Sequence, residues 1–167
     1  MTPLRSIWQH GIKTGLIGGV VGVLLSLMGM VETFSQRDII SETISMGHTL
    51  LLLAAVFMGY VAAKRTTPRS VTRALMNSII SGTMVGLFLA LVVLLGESVN
   101  LRSIFINASP VLFNLLLFGQ GLAVGSLLLL LTGALCGLFA GLLFLSPSLL
   151  RKVLITSLAS VIAVGVL

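Results

Sequence analysis

From Thr14 onward the chain is a succession of apolar runs, each about 18 to 25 residues long and separated by short polar loops. A helix needs roughly 20 apolar residues, within a range of about 17–25, to cross the hydrocarbon of a bilayer. Backbone polar groups in that environment must be satisfied within the segment, so a chain of this kind is restricted to bundled helices. The fold class expected is all-α: a polytopic transmembrane bundle of about five spans in a single integral membrane domain, residues 1–167. Composition supports this, with 57% hydrophobic and 8% charged residues. Soluble domains carry about 25% charge, and 8% cannot cover a water-facing surface.

Sidedness follows from one loop. Lys64-Arg65-Thr66-Thr67-Pro68-Arg69-Ser70-Val71-Thr72-Arg73 holds four of the ten basic residues and no acid. Lys and Arg close to spans stay on the cytoplasmic side. With that loop inside, Arg5, Lys13, Lys64, Arg65, Arg69, Arg73, Arg151 and Lys152 all fall inside. Arg37, Arg102 and all four acids, Glu32, Asp38, Glu42 and Glu97, fall outside. The N-terminus is therefore expected inside. The net charge of +6 is a matter of insertion and anionic headgroups. Nucleic acid is excluded as a partner, because no wet basic face exists to bind it.

Taken in order, residues 2–13 place Leu4, Ile7, Trp8, Gly11 and Ile12 opposite Arg5, Gln9 and Lys13. This predicts a short amphipathic helix in the inner headgroup layer, with Trp8 as an interfacial anchor. A signal peptide would need a shorter core and a small-residue cleavage site. Span 1 is expected over Thr14–Val31. Gly11, Gly15, Gly18, Gly22, Ser26 and Gly29 form one stripe on it, the spacing that lets another backbone come close. Two uses remain open for the stripe: packing within the chain, or a subunit seam.

Span 2 is expected over Ile44–Ala63, with His48 near its outer end and Tyr60 near its inner interface. His48 is either a relay or ligand contact, or a hydrogen-bonded structural residue; the span carries no acidic partner for it. Thr67-Pro68 reads as an N-cap and first helical position, leading into span 3 over Ala74–Gly96. Span 4 covers Gly121–Leu145, and Ser146-Pro147 repeats the helix-start signal before span 5, Leu149–Leu167. The lack of a polar flank there reads as an interior point of a longer chain.

Residues 101–118 break the pattern. The stretch is apolar yet, with the residues just after it, carries Asn107, Pro110, Asn114 and Gln120. A crossing here would move Arg151 and Lys152 outside, so an interfacial or re-entrant helix at the outer face is expected. Broken helices line transporter sites, which makes Asn107, Pro110, Asn114 and Gln120 the candidate substrate-path residues. The bland alternative is an amphipathic helix lying on the outer leaflet.

Other chemistry finds no foothold. No charge lies deep in a span, no phosphate loop ends in Lys-Ser/Thr, and no His/Cys/carboxylate cluster suggests a metal. Cys136 is the single cysteine, in an apolar run, and reads as a packed small residue. Neither enzyme activity nor a cofactor is expected.

The glycine-rich spans Gly15-Leu16-Ile17-Gly18-Gly19-Val20-Val21-Gly22 and Thr132-Gly133-Ala134-Leu135-Cys136-Gly137-Leu138-Phe139-Ala140-Gly141, with short basic inner loops, resemble the membrane-spanning permease subunits of ATP-binding-cassette importers of the branched-chain amino acid type. The resemblance covers the spans loosely, and no substrate-binding residue is carried over. It implies a plasma (inner) membrane permease component that moves a small molecule with a separate ATPase subunit and other membrane subunits. The alternative function is a non-catalytic assembly or anchor subunit of a larger membrane complex.

Overall fold

The computed structural model describes residues 4–35, 38–40, 44–66, 70–99, 105 and 108–166. Its elements are α1 (Leu4–Leu27), α2 (Met30–Thr33), β1 (Asp38–Ile40), β2 (Ile44–Ser45), α3 (Met46–Lys64), α4 (Val71–Ser98), α5 (Pro110–Leu116), α6 (Leu122–Leu145) and α7 (Ser148–Val166). The fold is an all-α helical bundle. The strands are a five-residue antiparallel ribbon in the connection between α2 and α3. Among the described residues, Trp8–Leu27, Met46–Lys64, Val71–Gly96 and Leu122–Leu145 are long and apolar enough to cross a membrane. The chain is thus built as an integral membrane protein. α7 is a fifth long helix over the residues expected for span 5.

The first helix departs from expectation. Residues 4–13 do not form a separate surface helix; they continue into the span as one 24-residue helix. Nothing between Ile12 and Thr14 breaks the backbone, and the Gly11 side of the helix is already packed against α4. The helix stops at Leu27, earlier than the expected Val31. Gly29 adopts φ 82°, and α2 begins after it.

The bundle is held by small residues. α1 and α4 run parallel: Gly11 lies against Asn77, Gly15 against Ser81, Gly18 against Val85 and Gly19 against Phe88. The glycine stripe of the first span is therefore an internal seam. α4 and α6 run antiparallel at closer range still. A Cβ at Gly82 would meet the Gly133 carbonyl oxygen, and one at Gly137 would meet the Ser78 carbonyl oxygen. Gly59 of α3 fits against Ser78 and Ala140. In lipid, where no hydrophobic force draws helices together, close backbone approach of this kind supplies the packing energy.

Capping follows the sequence locally. Ser45 caps α3, accepting from His48 N–H, and Ser109 caps α5 ahead of Pro110 at the first turn. For α4 the cap is Ser70, which accepts from Arg73 N–H. The expected cap at Thr67-Pro68 lies outside the described residues. One end of the bundle gathers the start of α1, the end of α3, the start of α4, the end of α6 and the start of α7. This basic end carries Lys13, Lys64, Arg65, Arg73, Arg151 and Lys152. The opposite end carries Glu32, Asp38 and Glu97.

Candidate functional site

Residues 108–121 lie at the acidic end of the bundle, where α4 ends and α6 starts. α5 has seven residues, about 10 Å of helix, and does not cross. Nor does it lie on the surface. Leu112 is 1% exposed and Leu116 is fully buried, both in the core cluster with Val31, Leu51, Val85, Leu89 and Leu129. Phe113 packs on Gly96, and Leu117 on Gly125. Where the structure describes this segment, it is a short helix packed against the core at the acidic end of the bundle.

The bottom of this insertion is pinned by His48. Its Nε2 lies 2.8 Å from the Leu115 carbonyl oxygen. A carbonyl only accepts, so Nε2 carries the proton. Nδ1 lies 3.0 Å from Ser45 Oγ, and in the neutral ring it accepts from that hydroxyl. The imidazole also stacks on Phe118, with centroids 4.9 Å apart and planes inclined by 12°. Phe118 adopts φ 55°, and Gly119 follows at φ 69°. A left-handed phenylalanine costs about 1–2 kcal/mol, and the ring stacking and the buried Leu116–Leu117 step hold it there. His48 is thus hydrogen-bonded within the bundle at both ring nitrogens.

Beneath the pin is a cavity of about 20 Å³, room for one water. His48, Leu51, Val85, Leu116, Phe118 and Thr132 are among its lining residues. It is too small for a solute.

Of the four residues singled out in the sequence, the three that are described do not converge on it. Pro110 is exposed and serves the start of α5. Asn114 and Gln120 are exposed; the Asn114 carbonyl accepts from Gly119 N–H at 2.8 Å, closing the turn after α5. Asn107 lies outside the described residues. What the segment brings to the centre is its apolar side chains, the Leu115 carbonyl and the Phe118 ring.

A second polar constellation lies near the basic end, and sequence reasoning missed it. Asn77 is 1% exposed. Its Oδ1 accepts from Gly11 N–H at 3.1 Å, and its Nδ2 donates to Thr66 Oγ1 at 3.0 Å. Thr66 Oγ1 donates in turn to the Ala62 carbonyl at 2.9 Å. Thr14 Oγ1 lies 2.6 Å from the His10 carbonyl and 3.2 Å from Ser81 Oγ. Ser78 Oγ sits between the carbonyls of Gly59, at 2.9 Å, and Gly137, at 2.6 Å. These groups tie α1, α3, α4 and α6 together where the apolar seam alone would let them slide. The signal was one amide in an otherwise apolar run, one residue before the seam position Ser78.

No group of three or more His, Cys, Asp or Glu able to hold a metal occurs among the described residues. The chain matches no protein-family model, and no curated protein or solved structure is similar to it.

Proposed function

We propose that this chain is the membrane-embedded part of a solute transporter, a permease component of the ATP-binding-cassette kind that works in the plasma membrane with a separate ATPase. The observation that carries the reading is α5. A short helix packed into the end of a bundle, with a last-turn carbonyl held by a side chain of another span, resembles the discontinuous helical segments that form transporter binding sites. Among the described residues, Gly82 and Gly133 meet backbone to backbone, and the cavity beside His48 has room for only about 20 Å³. The solute path of such a transporter therefore runs along a face of this bundle, against other membrane subunits.

The closed centre also favours a second reading, the non-catalytic assembly or anchor subunit. One experiment separates the two. The tagged chain is extracted from its own membrane in mild detergent, its companions are identified, and the complex is reconstituted in vesicles. A co-purifying ATPase and ATP-dependent solute uptake support transport. Integral subunits without an ATPase, and no uptake, give the anchor reading.

A further inference from the structure

An apolar cavity of about 500 Å³ opens along the side of the bundle between α1, α3, α6 and α7. Val21, Leu25, Leu53, Ala54, Tyr60 and Ile155 are among the residues that line it. Along α3 it runs from Leu50 to Tyr60, ten residues or about 15 Å at 1.5 Å per residue. A cavity of about 150 Å³ lined by aliphatic side chains accommodates one benzene, so this space has the volume of a hydrocarbon chain. Its walls offer no polar group along the spans except Tyr60, at the basic end.

The mouth at that end is marked by charge. The Tyr60 ring meets Phe144 edge to face, with centroids 5.8 Å apart, which fixes the end of α3 beside the end of α6. One turn beyond Tyr60 are Lys64 and Arg65, both exposed. On α7, Ile155 lines the cavity, and Arg151 and Lys152 lie one turn before it. Four cations thus lie about one turn from residues that line the opening, two at the end of α3 and two on α7, and the described acids Glu32, Asp38 and Glu97 lie toward the other end.

We propose that this groove is a binding site for one anionic phospholipid, with an acyl chain between α1, α3, α6 and α7 and the phosphate among Lys64, Arg65, Arg151 and Lys152. An apolar slot alone accepts any hydrocarbon. The cluster of cations at one mouth selects an anionic headgroup and sets the direction in which the lipid enters. Each basic residue near the headgroup layer favours an anionic lipid by about 1 kcal/mol, roughly five-fold. The site is independent of whether the chain transports a solute.

The test is native mass spectrometry of the full chain released from nanodiscs of equal phosphatidylglycerol and phosphatidylcholine. The expected result is one retained phospholipid, with phosphatidylglycerol favoured roughly five-fold or more. Ala54→Trp, which fills the slot, removes the retained lipid whatever its headgroup. The combined change of Lys64, Arg65, Arg151 and Lys152 to Gln lies at the surface and leaves the bundle intact; it brings the preference down to about equal. Equal retention of both lipids by the unaltered chain, preference unchanged in the Gln variant, or a second copy of the chain in place of lipid would overturn the proposal.

Discussion

The Nε2 of His48 and the carbonyl oxygen of Leu115 meet at 2.8 Å across 67 residues of sequence. This bond joins the first turn of α3 to the last turn of α5, and the stacked Phe118 ring lies against the same imidazole. It makes α5 part of the bundle. His48→Ala removes a hydrogen bond of net value about 0.5–1.5 kcal/mol and an aromatic contact of about 0.5–1.5 kcal/mol. Hydrogen exchange at residues 115–121 is expected to accelerate by one to two orders of magnitude on those figures, with amides of residues 78–86 unchanged. Equal acceleration in both regions would mean that His48 supports the whole bundle.

The glycine seam makes a contrast between two positions of one chain. At Gly82 a Cβ would strike the Gly133 carbonyl, which is backbone and cannot give way. At Gly22 the nearest atom to an added Cβ is Leu89 Cδ2, at 3.6 Å, an ordinary contact. Gly82→Ala is expected to destabilise by about 1–3 kcal/mol through overpacking, while Gly22→Ala is close to neutral. Thermal unfolding in detergent, followed by circular dichroism, checks both.

Asn77 and Thr66 are expected to be coupled. Removing either leaves the other buried and short of a partner, so the two losses should not add. A double-mutant cycle with Asn77→Leu and Thr66→Val should give a coupling of about 0.6 kcal/mol, up to about 1.7, the range found for hydrogen bonds between membrane helices. Additive losses would show that the bond contributes nothing.

Gly119 isolates a backbone effect. Nothing lies within 4 Å of a Cβ placed there, yet its φ is 69°. In Gly119→Val the Cβ meets no neighbour, and the change still costs about 1–2 kcal/mol for the left-handed conformation. Gly121, equally open but at φ −63°, should tolerate alanine. Paired unfolding curves of Gly119→Val and Gly121→Ala distinguish conformation from space.

Much of the fold was legible because lipid imposes a single rule on the backbone, and apolar run length then marks the spans to within a few residues. The stripe Gly11–Gly15–Gly18–Gly22 announced a close helix contact, but not whether its partner was in the same chain; spacing fixes only that a backbone approaches. The basic loop and the parity of crossings kept residues 101–118 from being read as a span. What stayed hidden depended on tertiary distance. Asn114 and Gln120 look like the polar residues of a site, yet the period of α5 turns Leu112 and Leu116 inward and leaves Asn114 exposed, and Gln120 lies in the exposed turn after the helix. Asn77 is a single amide in an apolar run; its value comes from Gly11 and Thr66, which no local pattern brings together. Phe118 gave no sign of its left-handed backbone, since that conformation is forced on it from outside.

On this account α1, α3, α4 and α6 each cross the membrane, and α4 ends on the same side on which α6 starts. Cysteine labelling in intact cells tests it most directly, in a Cys136→Ser background with single substitutions Asp38→Cys, Val99→Cys, Gly121→Cys, Ser70→Cys and Ser148→Cys. The account requires positions 38, 99 and 121 to react with a membrane-impermeant reagent added outside, and positions 70 and 148 to react only after the cells are opened. Labelling of 99 and 121 from opposite sides would show that residues 100–120 cross the bilayer, and would contradict it.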